Sequence, residues 1–225
     1  MKKTTGFRAL SGGLALALAI VAFPRHAYPQ DDAFQAELLG IQHAWEKANY
    51  EAGDDDAKER MLESLAARSD AFARKNPGRA EPLVWEGIVL SSYAGAKGGL
   101  GALSLAKESR DRLLEAVKVD PDALDGSAFT SLGALYYKVP GWPVGFGDRD
   151  KAAQYLHKAL AMNPDGIDPN FFLGELMYEK GDYAQSLKFL EKALAAPARP
   201  DRPLADSGRR GEIQALMAKV RSKQG

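Results

Sequence analysis

The stretch NFFLGELMYEKGDYAQSLKFLEKALAAP, residues 170–197, contains two apolar helical patterns separated by a short turn. Leu173 and Gly174 lie in the first pattern, and Leu190 and Ala193 lie in the second. A glycine and an alanine at these positions allow two helices to pack closely, and the proline that ends the stretch is typical of a helix end. The stretch therefore predicts a pair of antiparallel helices.

A second copy of this pattern covers residues 129–164. Gly133 again permits close helix approach, and Ala152 and Ala159 present small surfaces from the second helix. This copy exceeds a period of about 34 residues by roughly seven, and the excess lies between Tyr137 and Gly147. We therefore expect an ordered loop, rich in Pro, Gly and aromatic residues, at the turn of this hairpin.

The remaining helical patterns extend the series in both directions. Residues 83–121 repeat the helix–turn–helix pattern with a turn that is about ten residues too long. The stretch GAKGGLGALS within this turn (95–104) is interpreted as a flexible turn rather than a phosphate loop. Residues 34–52 and 57–75 form another pair around a GDDD turn and N-cap, and about 204–222 forms a capping helix. The predicted fold is all-α.

Residues 129–197 resemble the tetratricopeptide repeat (TPR) closely, and residues 34–121 resemble it in plan. The resemblance implies a TPR-like solenoid of about four α-α hairpins followed by the C-terminal capping helix. It also implies a non-enzymatic protein that binds protein or peptide partners in a helix-lined concave groove.

The N-terminal segment is typical of a secretory signal. Basic residues at positions 2, 3 and 8 precede an apolar run at 14–23, and that run is about 10 residues long, whereas a membrane span needs about 20. We expect cleavage after Ala27, a single mature domain at 28–225 and a periplasmic location, with no permanent membrane span. An uncleaved anchor is the alternative.

Composition excludes several kinds of chemistry. The whole chain carries 30 basic and 30 acidic residues, and loss of residues 1–27 leaves 26 basic against 30 acidic residues. An acidic domain of this kind gives no indication of nucleic acid binding. The absence of cysteine excludes disulfides and thiolate sites, and His43 and His157 stand apart from any metal-ligand spacing. No catalytic motif is present, so we predict no enzyme activity, no metal and no cofactor.

The signal, the overlong turns, PGWPVGFGD (140–148) and RPLADSGRR (202–210) also resemble helical periplasmic proteins related to the T component of TRAP transporters. This resemblance implies, as the alternative function, an accessory of solute transport that binds a small solute or docks on a solute-binding protein.

The TPR resemblance also places candidate binding residues, because the first helix of each hairpin lines the groove in that family. By position, this puts Thr130, Ala134 and Tyr137 of one repeat in the groove, with Trp85 or Ile88 upstream; the next repeat contributes Phe171, Glu175 and Tyr178. For Trp85 and Phe171, burial in the core is the competing interpretation.

Two further groups complete the predicted site. Trp142 and Phe146 either cover the open end of their hairpin or contact the partner. The arginines at 199, 202, 209 and 210 either form a solvated cluster or contact a carboxylate or phosphate. Asp206 is expected to cap the last helix, and an ion pair with Arg209 or Arg210 is the alternative. The candidate partner-binding residues are Tyr137, Trp142, Phe146, Glu175, Tyr178, Arg209 and Arg210.

Overall fold

The computed structural model describes residue 1 and residues 29–224, so the predicted signal at 1–27 lies outside the described residues. Between residues 29 and 224 the chain forms nine α-helices and one short 3-10 turn at Ala123–Gly126. The helices are α1 (Pro29–Tyr50), α2 (Asp55–Lys75), α3 (Ala80–Lys97), α4 (Gly99–Val119), α5 (Ser127–Lys138), α6 (Arg149–Met162), α7 (Ile167–Glu179), α8 (Tyr183–Leu194) and α9 (Pro203–Ser222).

The helices pack as four antiparallel hairpins, α1–α2, α3–α4, α5–α6 and α7–α8, and α9 covers the last of them. The predicted all-α class is confirmed, since the described part of the chain contains helices and a single isolated bridge pair but no strand. None of the helices within residues 29–224 is long and apolar enough to cross a membrane.

A glycine of the first helix lies against a leucine of the second in three of the hairpins. A Cβ atom built on Gly87 would lie 2.5 Å from Leu113 Cγ, and one built on Gly174 would lie 2.8 Å from Leu190 Cγ. Gly133 meets Leu156 in the same way. These contacts hold the paired helices so close that only glycine fits, which explains the glycines in the sequence pattern.

The interpretation of GAKGGLGALS as a flexible turn is wrong. Helix α3 continues to Lys97 and α4 begins at Gly99, so most of the additional residues lengthen the two helices. The reversal is made at Gly98 and Gly99, whose φ angles of 60° and 59° belong to the left-handed region that glycine adopts without strain.

Aspartate side chains begin the second helices of three hairpins. Asp54 Oδ1 accepts a hydrogen bond from the backbone N–H of Ala57 at 2.6 Å, which confirms the N-cap predicted at the GDDD turn. Asp148 caps α6 and Asp182 caps α8 in the same manner. Helix α9 is different: its first turn contains Asp206, but that side chain accepts from the backbone N–H of Arg199 at 2.7 Å and does not cap α9.

The loop at 139–148, called here the rim loop, is tied to its own hairpin. Gly147 N–H donates to Pro140 O at 2.9 Å, and Asp148 N–H donates to Tyr136 O at 2.7 Å. The Phe146 ring packs edge-on against Tyr136 with their centroids 5.4 Å apart. Trp142, in contrast, is 89% exposed. Phe146 is therefore the apolar anchor of the loop, and Trp142 does not cover the hairpin.

The glycine contacts lead to a test within one helix. We expect Gly87→Ala to destabilise the protein by about 1–3 kcal/mol, because its methyl group would overlap Leu113 and the core would have to shift. Gly95→Ala, also in α3, meets nothing within 4 Å and should be neutral or stabilising by up to about 1 kcal/mol through helix propensity. Urea unfolding of both variants measures the difference, and equal stabilities would contradict the proposed packing role.

A candidate binding cavity and the ion network beside it

The first helices of the four hairpins and α9 surround a cavity of about 1080 Å³. It extends along the whole of α5, from Ser127 to Lys138, which corresponds to about 18 Å of helix. At the Lys138 end the wall includes Val139, Pro140 and Val144 of the rim loop. The cavity is thus bounded by the faces on which this class of solenoid presents its concave surface.

The cavity wall combines two kinds of chemical groups. Helices α3 and α5 contribute hydroxyl groups, including those of Ser91, Ser92, Thr130 and Ser131, together with several alanines. Helices α1, α7 and α9 contribute aromatic rings and charged groups. A wall of this kind suits a ligand with an apolar part and several hydrogen-bonding groups.

Tryptophan and arginine side chains meet where α1, α3 and the α8–α9 connection come together. Trp45 packs edge-on against Trp85 with their ring centroids 6.0 Å apart, and Trp45 Nε1 donates to Ser92 Oγ at 2.8 Å. The Arg202 guanidinium lies 4.9 Å from the centroid of the Trp85 ring and 5.9 Å from that of Trp45. These contacts join the first two hairpins to the segment that precedes α9.

Ion pairs connect this corner to α7 and α9. Arg202 Nε lies 2.6 Å from Glu46 Oε1, and Arg199 Nε lies 2.6 Å from Asp206 Oδ1. Asp168, at the start of α7, accepts from Arg199 Nη1 and Arg209 Nε, each at 2.9 Å. We call this set, with the Arg209 partner Glu212, the closing network: Glu46, Asp168, Arg199, Arg202, Asp206, Arg209 and Glu212.

The closing network shifts the ionisation of its members. Burial alone would raise the pKa of Asp168, but the positive charges of Arg209 and Arg199 outweigh it and hold the pKa below its ordinary value. The carboxylates of Asp168 and Glu212 overcome the effect of burial on Arg209 and raise its pKa. Burial raises the pKa of nearby Tyr50 to about 12. These groups therefore keep fixed protonation states near neutral pH, as ion-pairing groups do and proton-transfer groups do not.

The cavity includes some of the predicted groove residues and not others. Thr130, Ala134, Phe171 and Glu175 lie on its wall, as do Trp85 and Ile88. Trp85 and Phe171 are only 4% and 5% exposed, so they belong to the packed core as well as to the wall.

The predicted partner-binding residues fall at several places. Glu175 and Arg209 lie on the cavity wall. The Tyr137 hydroxyl donates to Glu175, and burial together with that carboxylate raises the Tyr137 pKa well above its ordinary value. Tyr178 packs against Tyr183 with their ring centroids 5.9 Å apart. Arg210 donates to the carbonyls of Leu194 and Ala196, at the end of α8.

Sequence reasoning did not identify Glu46, Asp168 or Trp45 as members of a site. Glu46 and its partner Arg202 are 156 positions apart, and no local motif indicates that such residues will meet. The concentration of arginines at 199–210 was the only available signal, and it did not point to Glu46 or Asp168. Within residues 29–224, no three His, Asp or Glu side chains are grouped so that they could hold a metal ion.

Comparison with known proteins agrees with this architecture. Residues 144–220 match the family model of the tetratricopeptide repeat. Among solved structures, a thermophilic TPR protein of Thermus thermophilus superposes with a TM-score of 0.54 and 17% sequence identity, over 83% of this chain and 98% of the other. That similarity shows the fold alone. A search of curated proteins found no match.

The network leads to a prediction on stability and pH. At about pH 7 we expect Asp168→Asn to destabilise the protein by about 2–3 kcal/mol, because hydrogen bonds from two arginines to a carboxylate are lost. An Asp with a lowered folded pKa stabilises the fold above its unfolded pKa of about 3.9 and loses that contribution as the pH falls through the folded value. The difference between the variant and the wild type should therefore shrink as the pH falls below about 4.

Asp165→Asn is the matched control for this measurement. Asp165 pairs with Lys192 at 3.4 Å, but its side chain is 76% exposed, so we expect an effect below about 1 kcal/mol. Urea unfolding across the pH range compares the two variants. A pH-independent Asp168→Asn effect would contradict the assigned ionic role.

Proposed function

We propose that this chain, a tetratricopeptide-repeat protein, is an exported non-enzymatic binding protein that receives a protein or peptide partner at its helix-lined cavity. Repeats of this kind indicate a protein-interaction scaffold. The basic N-terminal residues and the apolar run at 14–23 support export to the periplasm. The acids and bases on the cavity wall near Asp168 and Glu175 pair with each other, which supports binding rather than catalysis.

The exposure of Trp142 carries the proposal for a protein partner. Its side chain is 89% exposed and neighbouring Val144 is 65% exposed, and exposed apolar side chains that lie together mark protein interaction sites. Backbone hydrogen bonds and the Phe146 anchor hold the loop that presents them, so little conformational entropy is lost when a partner covers it. Tryptophan is also among the residues most enriched at the energetic centres of protein interfaces.

A partner at this position would reach the cavity directly. Val144 and Pro140 of the rim loop form part of the cavity wall, and Lys138 and Glu175 follow it inward as an ion pair at 2.9 Å. A short segment of the partner could therefore enter the cavity while its folded surface rests on Trp142.

The size of the cavity supports the alternative function. Its volume of about 1080 Å³ is close to the upper limit of about 1,000 Å³ for small-molecule sites, and its aromatic and polar groups are those that such sites use. A transport accessory that holds a solute, or that docks on a solute-binding protein through Trp142, would use the same surfaces.

The first test separates the two possible roles of the rim loop. We expect Trp142→Ala to change the free energy of unfolding by no more than about 0.5 kcal/mol and to weaken partner binding by at least about 30-fold. Affinity capture from envelope extract of the native host with mass spectrometry would supply the partner, and titration of that purified partner would measure binding. Phe146→Ala is the control, with an expected loss of about 2 kcal/mol of stability because Phe146 packs on Tyr136. Unchanged binding by the Trp142→Ala variant would remove the loop from the interface.

The second test addresses the solute alternative. A panel of organic acids is screened by thermal shift, and a true ligand at 100 times its Kd should stabilise the protein by about 2.7 kcal/mol. Ala134→Trp, which fills the cavity from α5, should abolish that stabilisation and leave Trp142 in place. The solute alternative fails if no acid stabilises the wild type, or if the filled variant responds equally.

A further inference from the structure

The chain closes on itself between α1 and the region around α9. Stacked helical repeats normally contact only their neighbours in sequence. Here α1 of the first hairpin also contacts α9 at the other end of the series. We call residues 195–202, which connect α8 to α9, the strap, and the contacts of α1 with the strap and α9 the seam. Because the seam brings the two ends together, the concave surface becomes a partly enclosed cavity.

The seam lacks the hydrophobic core that joins the other neighbouring helices. Helix α9 buries Ile213, Met217 and Val220 in a cluster with side chains of α7 and α8. Helix α1 buries its apolar side chains in clusters with α2 and α3. None of the clusters found in residues 29–224 combines side chains of α1 and α9. Apolar contact across the seam is local: the Tyr50 ring of α1 lies against Gly208 of α9, outside these clusters.

Polar contacts hold the seam together. His43 Nε2 lies 2.7 Å from the carbonyl oxygen of Asp201, and Glu46 pairs with Arg202 at 2.6 Å. The Glu46 and Arg202 side chains are 2% and 15% exposed, so both charges have given up most of their water to form this pair. Separation of the pair would return that hydration, which offsets part of the lost attraction.

Packing around the strap is incomplete. A groove of about 570 Å³ lies between the strap and α1, with Leu38, Leu39 and Gln42 on one side and Pro200 on the other. A segment with few buried apolar contacts and a solvent-filled groove beside it belongs to the part of a protein that opens most easily.

We propose that the seam is a gate that parts between α1 and the strap with α9, and that it admits a partner segment sideways into the cavity. This inference rests on the proposed binding role of the cavity. The Glu46–Arg202 pair holds the gate closed, and α9 moves with the fourth hairpin because they share a hydrophobic cluster. A partner segment that passes through the open seam reaches the cavity wall from the side.

The test uses distances between spin labels in the full-length folded protein. The chain contains no cysteine, so cysteines introduced at exposed Lys47 and Ser207 report on the seam alone. Cysteines at exposed Lys188 and Gln214 form the matched control pair across α8 and α9. In the Glu46→Gln background, we expect a second population at Lys47–Ser207, longer by roughly a helix diameter of about 10 Å, to rise several-fold. The control pair should keep one distance.

A second measurement, at two ionic strengths, accompanies the comparison with Glu46→Gln. The labelled protein with native Glu46 is measured at ionic strengths of about 0.01 M and about 1 M; because salt screens a buried pair only weakly, the long-distance population should rise less than it does on Glu46→Gln. The gate is refuted if the Lys47–Ser207 distances stay unchanged in both measurements, or if the control pair widens equally, since that would indicate general loosening of the fold.

A reversible lock then connects the gate to binding. A Cβ on Gly208 would lie 2.5 Å from Tyr50 Cγ, so cysteines at these two positions are close enough for a disulfide across the seam. The oxidised Tyr50→Cys/Gly208→Cys protein should lose binding of a peptide from the captured partner, and reduction should restore it. Binding unaffected by oxidation overturns the gate. If the peptide binds neither the locked variant nor the wild type, the proposed function fails, while the label distances still decide the gate.

Discussion

The ion pair between Glu46 and Arg202 is the contact on which the form of the cavity depends. It joins the first hairpin to the strap across 156 positions of sequence, and it places the Arg202 guanidinium over the Trp85 ring. A buried pair of this kind adds little net stability compared with an apolar contact, but its loss on one side leaves a buried charge unpaired. Its main effect here is geometric, because it fixes the register of α9 against α1 and so closes the ring.

Much of the fold follows from short-range patterns. The glycines at 87, 133 and 174, each placed against a leucine one helix later, specify the hairpins, and the Asp54 cap marks the start of a helix. The turn of the second hairpin was mispredicted because glycines at 95, 98, 99 and 101 disfavour helix, whereas tertiary packing of long α3 and α4 supports helix there. Propensity is a weak guide wherever such packing dominates.

The site was less predictable than the fold. The resemblance to the repeat family predicted groove positions for Thr130, Ala134 and Glu175, which line the cavity. It predicted the same for Tyr137 and Tyr178, which are not among the lining residues. The sequence pattern did not show which of Trp142 and Phe146 would be packed against the hairpin, since two aromatic residues in one loop differ only in which of them meets Tyr136. The pairing of Glu46 with Arg202 depends on the curvature of the whole solenoid, which sums small rotations between repeats.

The rim loop and the seam are attached to different parts of the hydrophobic core. The rim loop is attached to Tyr136, whose cluster spans α3 to α7 and includes no buried residue of α9. The seam involves α9, which is attached to the fourth hairpin. A partner that touches only the rim loop therefore binds the closed and the open forms of the seam equally well. A partner that also fills the cavity binds the open form better and shifts the protein population toward it. Binding to the rim loop and entry into the cavity are thus separable steps. The free energy that couples them equals the difference between the partner's binding free energies for the open and the closed form of the seam.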